Sequence, residues 1–148
     1  MTTEMLQLWQ EGRTRFSKLL EQLKEEDLPK KLGTTPNSIG FLIRHIAEVE
    51  LLFAKNVFQN PDVKVIAKTV IDGKDTGLWT NLAELKAIAE ESFQMLKATI
   101  ETQSQESWND LVTTKEFGTK TKAEALARVT THAAYHAGQM AMILKYGQ

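Results

Sequence analysis

Three histidines are the residues of this chain best suited to chemistry: His45, His132 and His136, with no others present. His132 and His136 are four apart, a spacing that sets two side chains on one helix face, one turn above the other. Two ligands of a single metal ion need that arrangement. His45 lies far away in sequence, at the edge of another apolar helical stripe, so all three imidazoles can reach a shared interior or its mouth. Each ring has a donor and an acceptor, and burying three unpartnered rings together is costly. A divalent cation taking one nitrogen from each removes that cost. Three neutral imidazoles plus an open position make a catalytic type of site. Imidazole donors suit Zn, Ni, Cu and Fe, with Zn or Ni expected here. The alternative is three core or rim histidines bonded to backbone or glutamate.

Two familiar metal motifs are absent. A zincin needs Glu directly after the first histidine of the pair, and Ala133-Ala134-Tyr135 fills the interval. Di-iron bundles need Glu-x-x-His, but Leu42, Val129 and Ala133 stand three before the histidines. Cysteine is missing altogether, which excludes disulfide scaffolds, thiolate zinc sites, iron–sulfur clusters and a cysteine nucleophile.

The elements that must carry the histidines are helical. Leu6, Trp9, Phe16, Leu20 and Leu23 form an apolar stripe over residues 3–24, interrupted by Arg13. A second helix starts at Asn37 or Ser38 and runs to about Phe58, with Ile39, Leu42, Ile46, Val49, Phe53 and Val57 on its central stripe. Asn81 and Glu84 open a third, to about Thr102. Thr121 and Glu124 form a capping box at the head of a fourth, which ends near Lys145. Residues 63–71 carry no clear pattern, and 103–120 read as a polar connector. Four amphipathic helices can bury their stripes only against one another, so the expectation is an all-α four-helix bundle with two long connectors. With 148 residues, 42% hydrophobic and 25% charged, one domain spanning 1–148 is expected, because two cores of half that size would be marginal. Eighteen basic against nineteen acidic side chains leave −1, so no nucleic-acid partner is indicated. No apolar run approaches a membrane span, and the first residues do not read as a signal peptide, so a cytoplasmic protein is expected.

Two segments carry a family resemblance. Ser38-Ile39-Gly40-Phe41-Leu42-Ile43-Arg44-His45-Ile46-Ala47-Glu48 resembles the second-helix motif of the DinB/YfiT-like superfamily. Thr131-His132-Ala133-Ala134-Tyr135-His136-Ala137-Gly138-Gln139-Met140 is similar to its last-helix motif, His-x-x-x-His-x-Gly-Gln. The resemblance extends over essentially the whole chain. It implies a four-helix bundle of unusual connection order, frequent homodimers, and a metal held by His45, His132 and His136. It also implies thiol-dependent transferases and isomerases that use low-molecular-weight thiols such as bacillithiol or mycothiol.

Other residues carry secondary expectations. Gln139, three after His136, can orient a ligand imidazole or bind substrate. Gly138 permits close approach of another helix, or is simply tolerated there. Arg13 is a candidate to bind a carboxylate at the bundle mouth, or else its stem packs and its head stays wet. Glu48, three after His45, reads as a surface glutamate unless it reaches an imidazole. Trp79, Trp108 and Phe117 are candidates to wall a pocket, with Met140 lining it, whereas Trp9 reads as core. Ile43 lies off the central stripe and points to a dimer face. Three functions follow: a metalloenzyme activating a small thiol for transfer or isomerisation, a metal-dependent hydrolase, and a non-catalytic metal- or ligand-binding stress-response protein.

Overall fold

A computed structural model describes residues 1–148. Helix α1 spans Thr2–Gln22, α2 spans Ile39–Leu52, α3 is the short Lys68–Asp72, α4 spans Leu82–Glu101 and α5 spans Lys122–Tyr146. The caps follow local chemistry. Ser38 Oγ accepts from the Phe41 amide, Asn81 Oδ1 from the Glu84 amide, and Thr121 and Glu124 close a reciprocal capping box. α1 packs on α5 and α4, and α2 packs on the same two, so α1 and α2 occupy diagonal corners. Of the long helices, α2 and α4 are consecutive neighbours, whereas the consecutive pairs α1–α2 and α4–α5 lie across diagonals, which is the unusual connection order that the resemblance implied.

Beyond the regular α-helices the chain holds further structure. α2 continues into one π-helical turn, Phe53–Val57, a wider winding often found at functional sites. Residues 63–67 have no regular secondary structure and lead into α3. The connector expected to be irregular contains an antiparallel hairpin, β1 Leu111–Thr114 with β2 Gly118–Thr121. Its three-residue loop closes at Gly118, whose φ of 71° suits a residue without Cβ. The strands are four residues long and largely polar, which is why they left no alternating hydrophobic signal.

α2 is the central element, buried on nearly every face. Ile43 is fully buried, so it does not form the exposed dimer face expected of it. A Cβ at Gly40 would lie 1.8 Å from the Trp79 carbonyl oxygen, so the loop before α4 can cross here only over glycine. Trp79 accordingly packs against Gly40 and under the Arg44 guanidinium, not over the histidines. Trp108 and Met140 are core residues.

Arg13 also differs from expectation. Its head is not wet: the residue is 5% exposed and faces Glu50, which is 1% exposed. Arg13 Nε donates to both Glu50 oxygens at 3.1 and 2.9 Å, and Nη2 donates to Glu50 Oε1 at 3.0 Å and to the Ala89 carbonyl at 2.8 Å. Nη1 reaches Ser17, and Ser92 Oγ donates to Glu50 at 3.0 Å. This pair joins diagonal helices through the layer between two apolar clusters, one around Trp9, Val49 and Leu96, the other around Phe16, Leu42 and Ala89. Removing one partner strands a buried charge, which costs about 3–5 kcal/mol, whereas an apolar replacement of both avoids that penalty. Glu50→Ala is expected to lower the urea unfolding free energy by about 3–5 kcal/mol. Arg13→Met combined with Glu50→Leu should cost much less. Equal losses in the single and double variants would exclude this account.

Candidate metal centre

α2 carries His45 and α5 carries His132 and His136, each half-buried at the interface of the two helices. One ring nitrogen of each lies within 4.8 Å of the other two. His132 Nε2 and His45 Nε2 are 3.1 Å apart, and the ring centroids are 4.5–5.0 Å apart. The fourfold spacing in α5 and the α2–α5 contact thus deliver the three imidazoles to one point.

The bonds on the far side of each ring fix which nitrogen faces that point. His45 Nδ1 lies 3.1 Å from Thr69 Oγ1, which itself lies 2.5 Å from Glu48 Oε1. A carboxylate only accepts, so the hydroxyl proton of Thr69 goes to Glu48 and Thr69 accepts from His45 Nδ1–H. His45 therefore keeps its lone pair on Nε2, toward the other histidines. His136 Nδ1–H likewise donates to Gln139 Oε1 at 2.6 Å, leaving Nε2 free. His132 Nδ1 is buried without a partner, so all of that ring's hydrogen bonding falls on Nε2.

Glu48 is the residue that sequence reasoning placed wrongly. It is 0% exposed, not on the surface. Besides Thr69 Oγ1 it accepts from the α3 amides of Thr69 at 2.8 Å and Lys68 at 3.2 Å, and from Arg44 Nε at 2.7 Å. One carboxylate thereby caps α3, neutralises Arg44 and, through Thr69, orients His45. The signal for it was present: α2 is apolar on almost every face, and an acid in such a helix is buried. Nothing in the sequence pointed to Thr69, which comes from the unpatterned connector.

Burial keeps the rings neutral. It pushes His132 down to about 3 and His45 down to about 4, with the neighbouring His136 adding repulsion in both cases. Burial also lowers His136, against the hydrogen bond to Gln139. At neutral pH all three lone pairs are present, as metal ligation requires. The donor set fits a divalent cation. Three neutral imidazole nitrogens converge, with Nε2 of His45 and His132 3.1 Å apart, and neutral imidazoles are the donors such a cation takes.

The cluster opens onto a cavity of about 360 Å³ that His45 and His132 share with the π turn, α3 and the hairpin, including Phe117. Gln139 borders a separate cavity of about 460 Å³ with Gly138 and Met142, where a Cβ at Gly138 would meet open space and no neighbouring helix. Arg13 borders a cavity with Ser17, Lys86 and Glu90 that contains no histidine, and its guanidinium is committed to Glu50. The structure thus brings Gln139 to the histidines and leaves Arg13 apart.

Thr69→Val keeps the shape and removes the acceptor for His45 Nδ1–H. Loss of such an outer partner weakens metal affinity by about 10- to 100-fold. Competition against a chromogenic chelator should show that loss with unchanged helical circular dichroism, and Thr69→Ser should recover most of it. Wild-type affinity in Thr69→Val would show that the relay does not orient His45.

The family model of the DinB superfamily matches residues 8–140. Among solved structures, the chain is similar to the mycothiol-dependent maleylpyruvate isomerase, with a TM-score of 0.71 and 20% identity over 95% of this chain and 60% of that one. A histidine-to-alanine mutant of the same enzyme gives a TM-score of 0.71 and 19% identity, with the same coverage. The chain spans 60% of the length of these structures, and the likeness is one of fold. No curated protein matches it. With the bundle, its connection order and the motifs of α2 and α5 all in agreement with the family match, the chain belongs to the DinB superfamily.

Proposed function

We propose that this protein is a metal-dependent enzyme that uses a low-molecular-weight thiol as cosubstrate, in an S-transfer or isomerisation reaction. The observation that carries the reading is the convergence of three neutral imidazoles, two of them anchored on their far side, on one point beside a cavity. His45, His132 and His136 would hold a divalent cation, Zn or Ni by preference. When bound, that cation supplies an open Lewis-acidic position that favours the thiolate form of a thiol. A solved enzyme that shares this fold is a mycothiol-dependent isomerase, which supports a thiol as cosubstrate here. This chain has no cysteine, so any sulfur nucleophile must come from a cosubstrate.

The chain's own residues do the positioning. Glu48 and Thr69 hold the His45 ring, and Gln139 holds His136. Phe53 and Phe117, with ring centroids 5.9 Å apart, cover one side of the cavity and keep water from the reacting groups. Arg13 takes no part, being closed on Glu50.

Co(II)-loaded protein tests the reading. Adding a small thiol is expected to produce a sulfur-to-cobalt charge-transfer band, absent in His136→Ala. A panel of thiols that gives no band would transfer the reading to metal-dependent hydrolysis or to simple metal binding.

We extend the proposal to a single-domain, cytoplasmic homodimer. No helix is long and apolar enough to cross a membrane. With Ile43 buried, the apolar residues left for a dimer face include Leu8, Leu111 and Met142. Sedimentation at micromolar concentration should give a dimer, and monomer alone would remove this part of the proposal.

A further inference from the structure

We propose that the cavity beside His45 and His132 seats the second substrate, and that this substrate is an electrophile with an uncharged, apolar body. For its chemistry this rests on the thiol reading above; the binding itself does not depend on it. Three elements converge to make the cavity, two of them from segments that the periodicity of the sequence left open. The π turn contributes Phe53 and Val57, α3 contributes Val70, and the hairpin loop contributes Phe117. Four residues apart on the π turn, Phe53 and Val57 both line this space.

The charges around this space decide what it accepts. Glu116 is the charged side chain on its wall, and Arg128 Nε donates to its carboxylate at 3.2 Å. Asn56 and Thr114 add uncharged polar groups at the rim. No Lys or Arg lines the cavity. A carboxylate or sulfonate on the far end of a ligand would lose water and meet no unpaired cation, with Glu116 opposing it. Any cation held by the histidines lies at the near end. The polar, reacting end of the ligand therefore turns toward His45 and His132, and the apolar end lies against Phe53, Val57, Val70 and Phe117. A small dianion charged at both ends finds only one end matched.

Methyl cinnamate is a neutral electrophile of suitable size, and its para-sulfonate differs only by a charge at the far end. Each, together with maleate, would be titrated into zinc-loaded protein carrying 13C-labelled Val and Leu methyls. The expected result is that methyl cinnamate shifts Val49, Val57 and Val70 and binds at least ten-fold tighter than either anion. Asn56 is exposed, so Asn56→Arg can add a cation at the rim without disturbing the core. That variant should bind the para-sulfonate at least ten-fold tighter than the unmodified protein does. The proposal is overturned if either anion binds the unmodified protein as tightly as the ester, if the ester shifts other methyls or none, or if Asn56→Arg leaves the preference unchanged. No thiol is present, so failure here is distinct from a missing thiolate band, and either can occur without the other.

Discussion

The burial of α2 on nearly every face is the constraint from which the rest of this structure follows. A helix that meets protein all round can carry a carboxylate only if the carboxylate is neutralised and fully hydrogen-bonded. α2 carries two, Glu48 and Glu50, and each organises a different part of the molecule. Glu50 draws Arg13 across the bundle and fixes the diagonal pairing of α1 and α2, with α4 contributing Ala89 and Ser92. Glu48 draws in the connector, capping α3 and placing Thr69 behind His45.

The two acids therefore separate structural from site-building duties along one helix. The Arg13–Glu50 layer lies between the apolar clusters and specifies which helices meet. Such a pair is weak as a source of net stability, since desolvation offsets most of the attraction, yet it strongly disfavours arrangements that leave either charge alone. The Glu48–Thr69–His45 chain does the corresponding work at the site. It selects one tautomer of one ring, and with Gln139 on His136 it leaves two lone pairs facing inward before any ligand arrives. Preorganisation of this kind lets those two rings meet a divalent cation without rotating or losing a proton.

The segments that build the cavity are those that depart from regular α-helix. The π turn widens the end of α2, the short α3 is held by a side chain from another helix, and the hairpin swings Phe117 toward Phe53. These irregular pieces line the cavity beside the histidines, with apolar side chains and an ion pair at the rim.

The sequence by itself determined the four long helices, their caps and the three histidines, because these are local or periodic features. Helical spacing alone sets His132 above His136, and Thr121 with Glu124 announces the start of α5. It also held the sign that Glu48 is buried, in the apolar residues surrounding it in α2. What only the tertiary structure decided are pairings between residues far apart in the chain: Arg13 with Glu50, Thr69 with His45, Phe117 with Phe53. Arg13 on an apolar stripe reads equally as a surface residue with a packed stem or as half of a buried pair, and the choice depends on what α2 presents opposite it. Ile43 reads as surplus until a neighbour covers it on every side. The hairpin and α3 are too short and too polar to show a period, so they form because long-range partners hold them. Periodicity records which face of an element is buried; it does not record what that face meets.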